Sequence, residues 1–110
     1  MIVATDTKRV QALEKLKEYL TQEYAQRLFQ VVLFGSHARQ EATATSDIDV
    51  LIVLNDSVNA SEELQRTSQF VAQLCLDFDL LISRLFLSRS RFETENSPLL
   101  RNIRREGVVL

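Results

Sequence analysis

From Thr7 to about Leu28 apolar residues return every three or four positions, at Val10, Leu13, Leu16, Leu20, Tyr24 and Leu28. Lys8, Lys15, Lys17, Glu18 and Gln22 lie between them. That spacing predicts an amphipathic helix, with Thr5 and Asp6 as its caps. The period then changes. Phe29–Phe34 is a β-branched and aromatic run that Gly35 ends, so a first strand is expected there. Ile48–Leu54 reads IDVLIVL, apolar on both faces after Asp49, as in sheet centres covered on both sides. The turn-rich Asn55–Ala60 follows, and Ser61 with Glu62 and Glu63 opens a second helix with an acidic first turn. Its expected buried stripe is Leu64, Phe70, Val71, Leu74 and Cys75. Next, FDLLI echoes IDVLI, each with one aspartate set one residue into an apolar strand. Ser88 can cap a short helix over Arg89–Glu95, and Ser97-Pro98 has the form of another helix start. Gly107 ends that helix, and Val108–Leu110 can add a last short strand. The pattern predicts one α/β domain over residues 1–110: a small mixed sheet flanked by helices, with the active site at one sheet edge.

Composition narrows the function. A chain of 110 residues holds one core and not two. Apolar and charged shares of 45% and 25% are ordinary for a soluble globular protein. A net charge of −2 supplies no general attraction to nucleic acid or to acidic membranes. One cysteine excludes an internal disulfide and a cysteine-based zinc site, so a reducing cytoplasm is the expected compartment. No apolar run approaches the ~20 residues that span a bilayer, and the first residues lack the order of a signal peptide.

The chemistry gathers between Phe34 and Leu54. Residues two apart on a strand face the same way, about 6 to 7 Å apart, so Asp47 and Asp49 can aim at one point. Two such carboxylates repel unless a proton or a cation sits between them. An oxygen-only pair suits Mg²⁺, which takes one or two carboxylates, waters and the phosphates of a substrate. The Gly35-Ser36 turn, just after a strand, can offer those phosphates N–H groups and a hydroxyl. It is no Walker-type loop, because the second glycine and the lysine are missing. Asp79, on what reads as a neighbouring strand, would complete a two-metal set and take a proton from an attacking hydroxyl. Asp77 competes, and is better read as a helix end. His37 is the single histidine, and a solvent-facing place is expected for it. Cys75 reads as a small core residue. Tyr19 and Tyr24 on the first helix read as packing. Six arginines after Ser83 fit a triphosphate, an RNA or an acidic partner, and also a solvated helix face.

Gly35-Ser36, ten residues, then Asp47-Ile48-Asp49 resembles the signature of the polymerase β-like nucleotidyltransferases. The short chain and the pattern GSHARQ…SDID resemble most the minimal nucleotidyltransferases, the antitoxin half of HEPN/MNT toxin–antitoxin pairs. The resemblance runs from about Arg27 to Leu110. It implies catalytic and metal-binding roles for Asp47, Asp49 and Asp79. It also implies nucleotide contacts from Gly35, Ser36, Arg39 and Ser46, although Arg39 can equally pair with Glu41 on the surface. Mg²⁺ as cofactor, ATP as nucleotide donor, and a tyrosine of a HEPN-type toxin as acceptor follow from the same likeness. Gln40 stands where the family pattern GSxARG has its last glycine. If that glycine's role is a positive φ, Gln40 strains or shifts the loop.

Two other functions fit the same residues. A binding module could neutralise its partner by contact alone. A small-molecule nucleotidyltransferase would need a separate subunit to hold its acceptor. Nucleic-acid extension is disfavoured by the acidic balance. A domain this small is expected to work in a complex, with itself or with a second protein.

Overall fold

In a computed structural model of the chain, residues 4–35 and 47–110 are described, with side chains from Thr7 onward. The elements are α1 (Ala4–Tyr24), β1 (Leu28–Phe34), β2 (Ile48–Leu54), α2 (Ala60–Phe78), β3 (Ile82–Ser88), α3 (Arg89–Thr94), α4 (Pro98–Glu106) and β4 (Val108–Val109). The sheet runs in the order β3-β2-β1-β4. β1 pairs antiparallel with β2 and β4, while β2 and β3 run parallel, with α2 as the crossover between them. This is the small mixed sheet expected.

Alternation along β2 divides the core in two. Ile48, Val50, Ile52 and Leu54 face Leu16, Leu20 and Tyr24 of α1 and Val71 and Leu74 of α2. Leu51 and Val53 face the other way, against Leu87 and, from α4, Leu100 and Ile103. All seven residues of β2 except Asp49 are buried, so the sheet is sandwiched as its unbroken apolar run implied. At about 0.8 kcal/mol per buried methylene, these two faces dominate the folding energy.

Local signals set several boundaries. α1 begins at Ala4, so Thr5 and Asp6 lie inside it rather than before it. Its apolar period carries on to Leu28, but the helix stops at Tyr24. Ala25 takes a positive φ of 48°, and a 3₁₀ turn over Ala25–Arg27 redirects the chain into β1. Val10, expected in the stripe, is 54% exposed. α2 begins at Ala60, one position before the expected start, and the Asn59 side chain caps it by accepting from the Glu62 N–H at 3.2 Å. Leu64 is likewise exposed. The expected helix starts at Ser88 and Ser97 are found, each serine accepting from the N–H three residues on.

A buried polar knot ties α1 to α2. The Tyr24 hydroxyl donates to Glu63 Oε1 at 2.7 Å, and Arg66 Nε donates to the same oxygen at 3.1 Å. Arg27 lies 3.6 Å from the other carboxylate oxygen and pairs with Asp56 at 3.0 Å. Burial, then the bond to Glu63, pushes the Tyr24 hydroxyl well above its ordinary range. Unfolded tyrosines ionise near pH 10, so above that pH the unfolded chain sheds a proton that the folded chain keeps. Stability is whole below about pH 10 and falls above it. In thermal unfolding across that range, Tyr24→Phe should show a shallower alkaline decline than the parent. Equal slopes would remove Tyr24 as its source.

Candidate active site

β1 ends at Phe34, and Gly35 turns the chain with φ +77°, a region in which side chains with a Cβ are strained. Phe34 pairs with Asp49 across the antiparallel ladder, so the turn and the start of β2 lie side by side. The approach is close. A Cβ built on Gly35 would stand 2.6 Å from Asp49 Oδ2. Two independent constraints, left-handed backbone and an overlying carboxylate, therefore demand glycine at this position.

Asp49 shares its face of the sheet with Leu51 and Val53, the side covered by α3 and α4. It is half-buried, and Asp47, one residue ahead of the strand, is exposed. The Ile48 N–H donates to the Leu81 carbonyl at 2.8 Å, which brings the segment before β3 beside Asp47. The site thus lies at one end of the sheet, where β1 finishes and β2 and β3 begin. The expected sheet edge is in fact the end of its two interior strands, β1 and β2.

Asp79 departs from its expected place. It is not in a strand: β3 begins at Ile82, and Asp79 is the left-handed cap of α2, with φ 53° and its N–H on the Cys75 carbonyl. α2 continues through Phe78 because its apolar stripe does, and the chain becomes extended only afterwards. Register sets Asp49 beside Ser83, not beside Asp79. Asp77 lies in the last turn of α2, as expected, and its carboxylate accepts from Gln73. Among the described residues no group of three His, Cys, Asp or Glu side chains is placed to hold a metal ion. Asp47 and Asp49 remain as an oxygen-only pair at a turn, a donor set that fits a hard cation whose other ligands are waters and phosphate oxygens. Ser36, His37, Arg39, Gln40 and Ser46 lie outside the described residues.

The site also has a wall that the sequence reading passed over. Leu99, Asn102, Ile103 and Glu106 of α4 face Phe34 and Gly35 across a cleft of about 100 Å³. Their spacing of three and four residues marks one helix face, but the arginines of this stretch drew the eye instead. Two of those arginines make i,i+4 pairs on an exposed helix, Arg89 with Glu93 and Arg91 with Glu95. Arg84 lies on β3 and turns under α2, donating to Thr67 Oγ1 and the Leu64 carbonyl. The tyrosines are packing, as expected: Tyr24 is buried, and the Tyr19 ring stacks on Phe70 at 3.9 Å. Among the described residues no helix is long and apolar enough to cross a membrane.

Comparison with known proteins bears on this arrangement. Two proteins of Methanocaldococcus jannaschii bear the name Putative protein adenylyltransferase, MJ0604 and MJ0141. The first is 30% identical over 100 residues, 90% of this chain and 94% of the relative. The second is 27% identical over 81 residues, 74% of this chain and 81% of the relative. The structure of a protein named putative nucleotidyltransferase, from Sulfolobus solfataricus, superposes with a TM-score of 0.62 at 22% identity, covering 99% of this chain and 87% of the other. A toxin–antitoxin structure with AMP-PNP gives 0.60 at 17%, covering 87% and 70%. The complex of a tri-AMPylated Shewanella oneidensis HEPN toxin with its MNT antitoxin gives 0.54 at 16%, covering 93% and 70%. These structures share the fold. Residues 13–103, from within α1 to within α4, match the family described as nucleotidyltransferase domain, and the chain belongs to that family as a nucleotidyltransferase, the class its sequence led us to expect.

Proposed function

We propose that this nucleotidyltransferase moves AMP from ATP onto a tyrosine hydroxyl of a HEPN-type partner, and is the antitoxin of a HEPN/MNT pair. The observation that carries this reading is the Asp49 carboxylate lying over the Gly35 turn. It sets an acidic group against the backbone that would receive a triphosphate. Gly35 and Ser36 hold the β- and γ-phosphates, and Arg39 and Ser46 are assigned as further nucleotide contacts by the family resemblance. Asp47 and Asp49 hold Mg²⁺, which when bound neutralises charge that builds on the phosphates during transfer. The acceptor oxygen forms a bond to the α-phosphorus. The bond from that phosphorus to its bridging oxygen breaks, and pyrophosphate leaves with the electron pair. The hydroxyl proton passes to a carboxylate, a role we assign to Asp79 at the C-terminal cap of α2.

The acceptor belongs to another molecule. Tyr24 is buried with its hydroxyl committed to Glu63, and both Tyr24 and Tyr19 are on α1, across the sheet from Asp49. The relatives support the same direction of transfer: two bear the name of protein adenylyltransferase, and one structural neighbour accompanies an AMPylated HEPN toxin.

The test is to incubate the protein with ATP, Mg²⁺ and a HEPN-domain protein from the same genome, and to weigh the partner's peptides. A tyrosine peptide heavier by one AMP, lost when the metal is chelated, is the expected result. Neutralisation of the partner with no added mass would instead make this chain a binding module.

A further inference from the structure

We propose that the outer edge of β4 and the apolar groove beside it are a contact for a second copy of this chain, which continues the sheet across a twofold axis. β4 is an edge of the sheet, and Val108 and Val109 are 45% and 59% exposed on it. The Leu110 N–H donates to the Val31 carbonyl at 2.8 Å, in step with the pairing of Val32 with Val109. Bonded and unbonded pairs alternate along an antiparallel ladder, so the N–H and carbonyl of Val109 point away from β1. They face the place of a further strand.

The edge comes with an apolar flank. Val108 lies across from Leu33, on the α1 side of the sheet. There Val10 and Leu13 of α1, with Leu33 and Leu110, line a groove of about 520 Å³. The half-exposed Val10 of the α1 stripe opens into this groove. Lys17 Nζ donates to the Leu110 carbonyl and holds the end of the strand against the helix.

Two features select a copy over other occupants. The outward groups of one residue are too few to hold a loose peptide, whose affinity comes from a run of main-chain bonds. The occupant must therefore bring an apolar flank of its own, and a copy brings Val10 and Leu13. The rim of the groove also carries both signs of charge, Lys17 between Glu14 and Glu18. Such a rim complements itself about a twofold axis, lysine of one copy against glutamate of the other. Val109 then faces the copy's Val109 and exchanges both hydrogen bonds with it. The opposite edge, β3, turns the charged Arg84 inward under α2, a device that guards an edge against pairing. Growth of the sheet thus stops at two copies.

Sedimentation of the whole chain from micromolar to submillimolar concentration, with amide exchange followed by NMR, tests this. The expected result is a dimer that fills with concentration. The Val109 N–H becomes protected as it fills, while the Leu110 N–H, bonded to Val31, is protected throughout. Val109→Pro removes the outward N–H at an edge position that tolerates proline, and Val10→Lys puts a charge into the groove. Both positions are exposed, and thermal unfolding checks that each variant folds. Each should weaken the dimer by about tenfold or more. A parent chain that stays monomeric throughout the range overturns the proposal. So does a dimer that keeps its strength in both variants, or one in which the Val109 amide exchanges freely. Protection of Val109 that appears only on adding a HEPN-domain protein would give the edge to that partner and overturn the second copy.

Discussion

Asp49→Asn is expected to slow AMP transfer by about a hundredfold to a thousandfold, the range seen when one preorganised electrostatic contact to a transition state is removed. The change is nearly isosteric. Asparagine fits over Gly35 where the carboxylate fits, and β2 keeps its ladder to Phe34. What goes is the negative charge. Loss of that charge and loss of fold would both lower the rate, and they are told apart by measuring both. Initial rates of AMP incorporation, set beside a melting curve, separate these effects. A variant that melts like the parent and transfers within tenfold of it would end the assignment of Asp49 to the chemistry.

Gly35→Ala should cost nearly as much in rate, by another route. Alanine strains a backbone held at φ +77°, at about 1–2 kcal/mol, and its methyl meets Asp49 Oδ2 at 2.6 Å. The turn or the carboxylate must give way. A displacement of about 1 Å in a reacting group can cost about a hundredfold, and a loss of that order is expected here. The melting temperature should drop by several degrees, as about 1 kcal/mol shifts a domain of this size. Parent-like rates in Gly35→Ala would show that the contact between turn and carboxylate does nothing for transfer.

Much of this architecture was readable beforehand, for reasons that differ from element to element. β2 announced itself because a strand covered on both faces needs an unbroken apolar run. The partnership of turn and carboxylate was readable because Gly35 and Asp49 close a short excursion between neighbouring strands. The end of α1 was hidden. Leu28 continues the helical period, and neither glycine nor proline marks the turn at Ala25. The start of β3 misled for a related reason. Short apolar runs look alike as helix or strand, and the echo of IDVLI in FDLLI favoured strand where α2 still ran to Phe78. The α4 wall was unreadable in a stricter sense. It depends on how closely a distant helix settles on β1, and that is decided at Gly107 and Val32, 75 residues apart in the chain.

The left-handed cap at Asp79 has a consequence for how this molecule can be improved. Helices commonly end on glycine in that conformation, since glycine lacks the Cβ that makes it costly. Glycine there would relax the end of α2 and at the same time remove the carboxylate to which we assign the proton. Selection for a sturdier fold and selection for a faster enzyme would thus pull this residue in opposite directions.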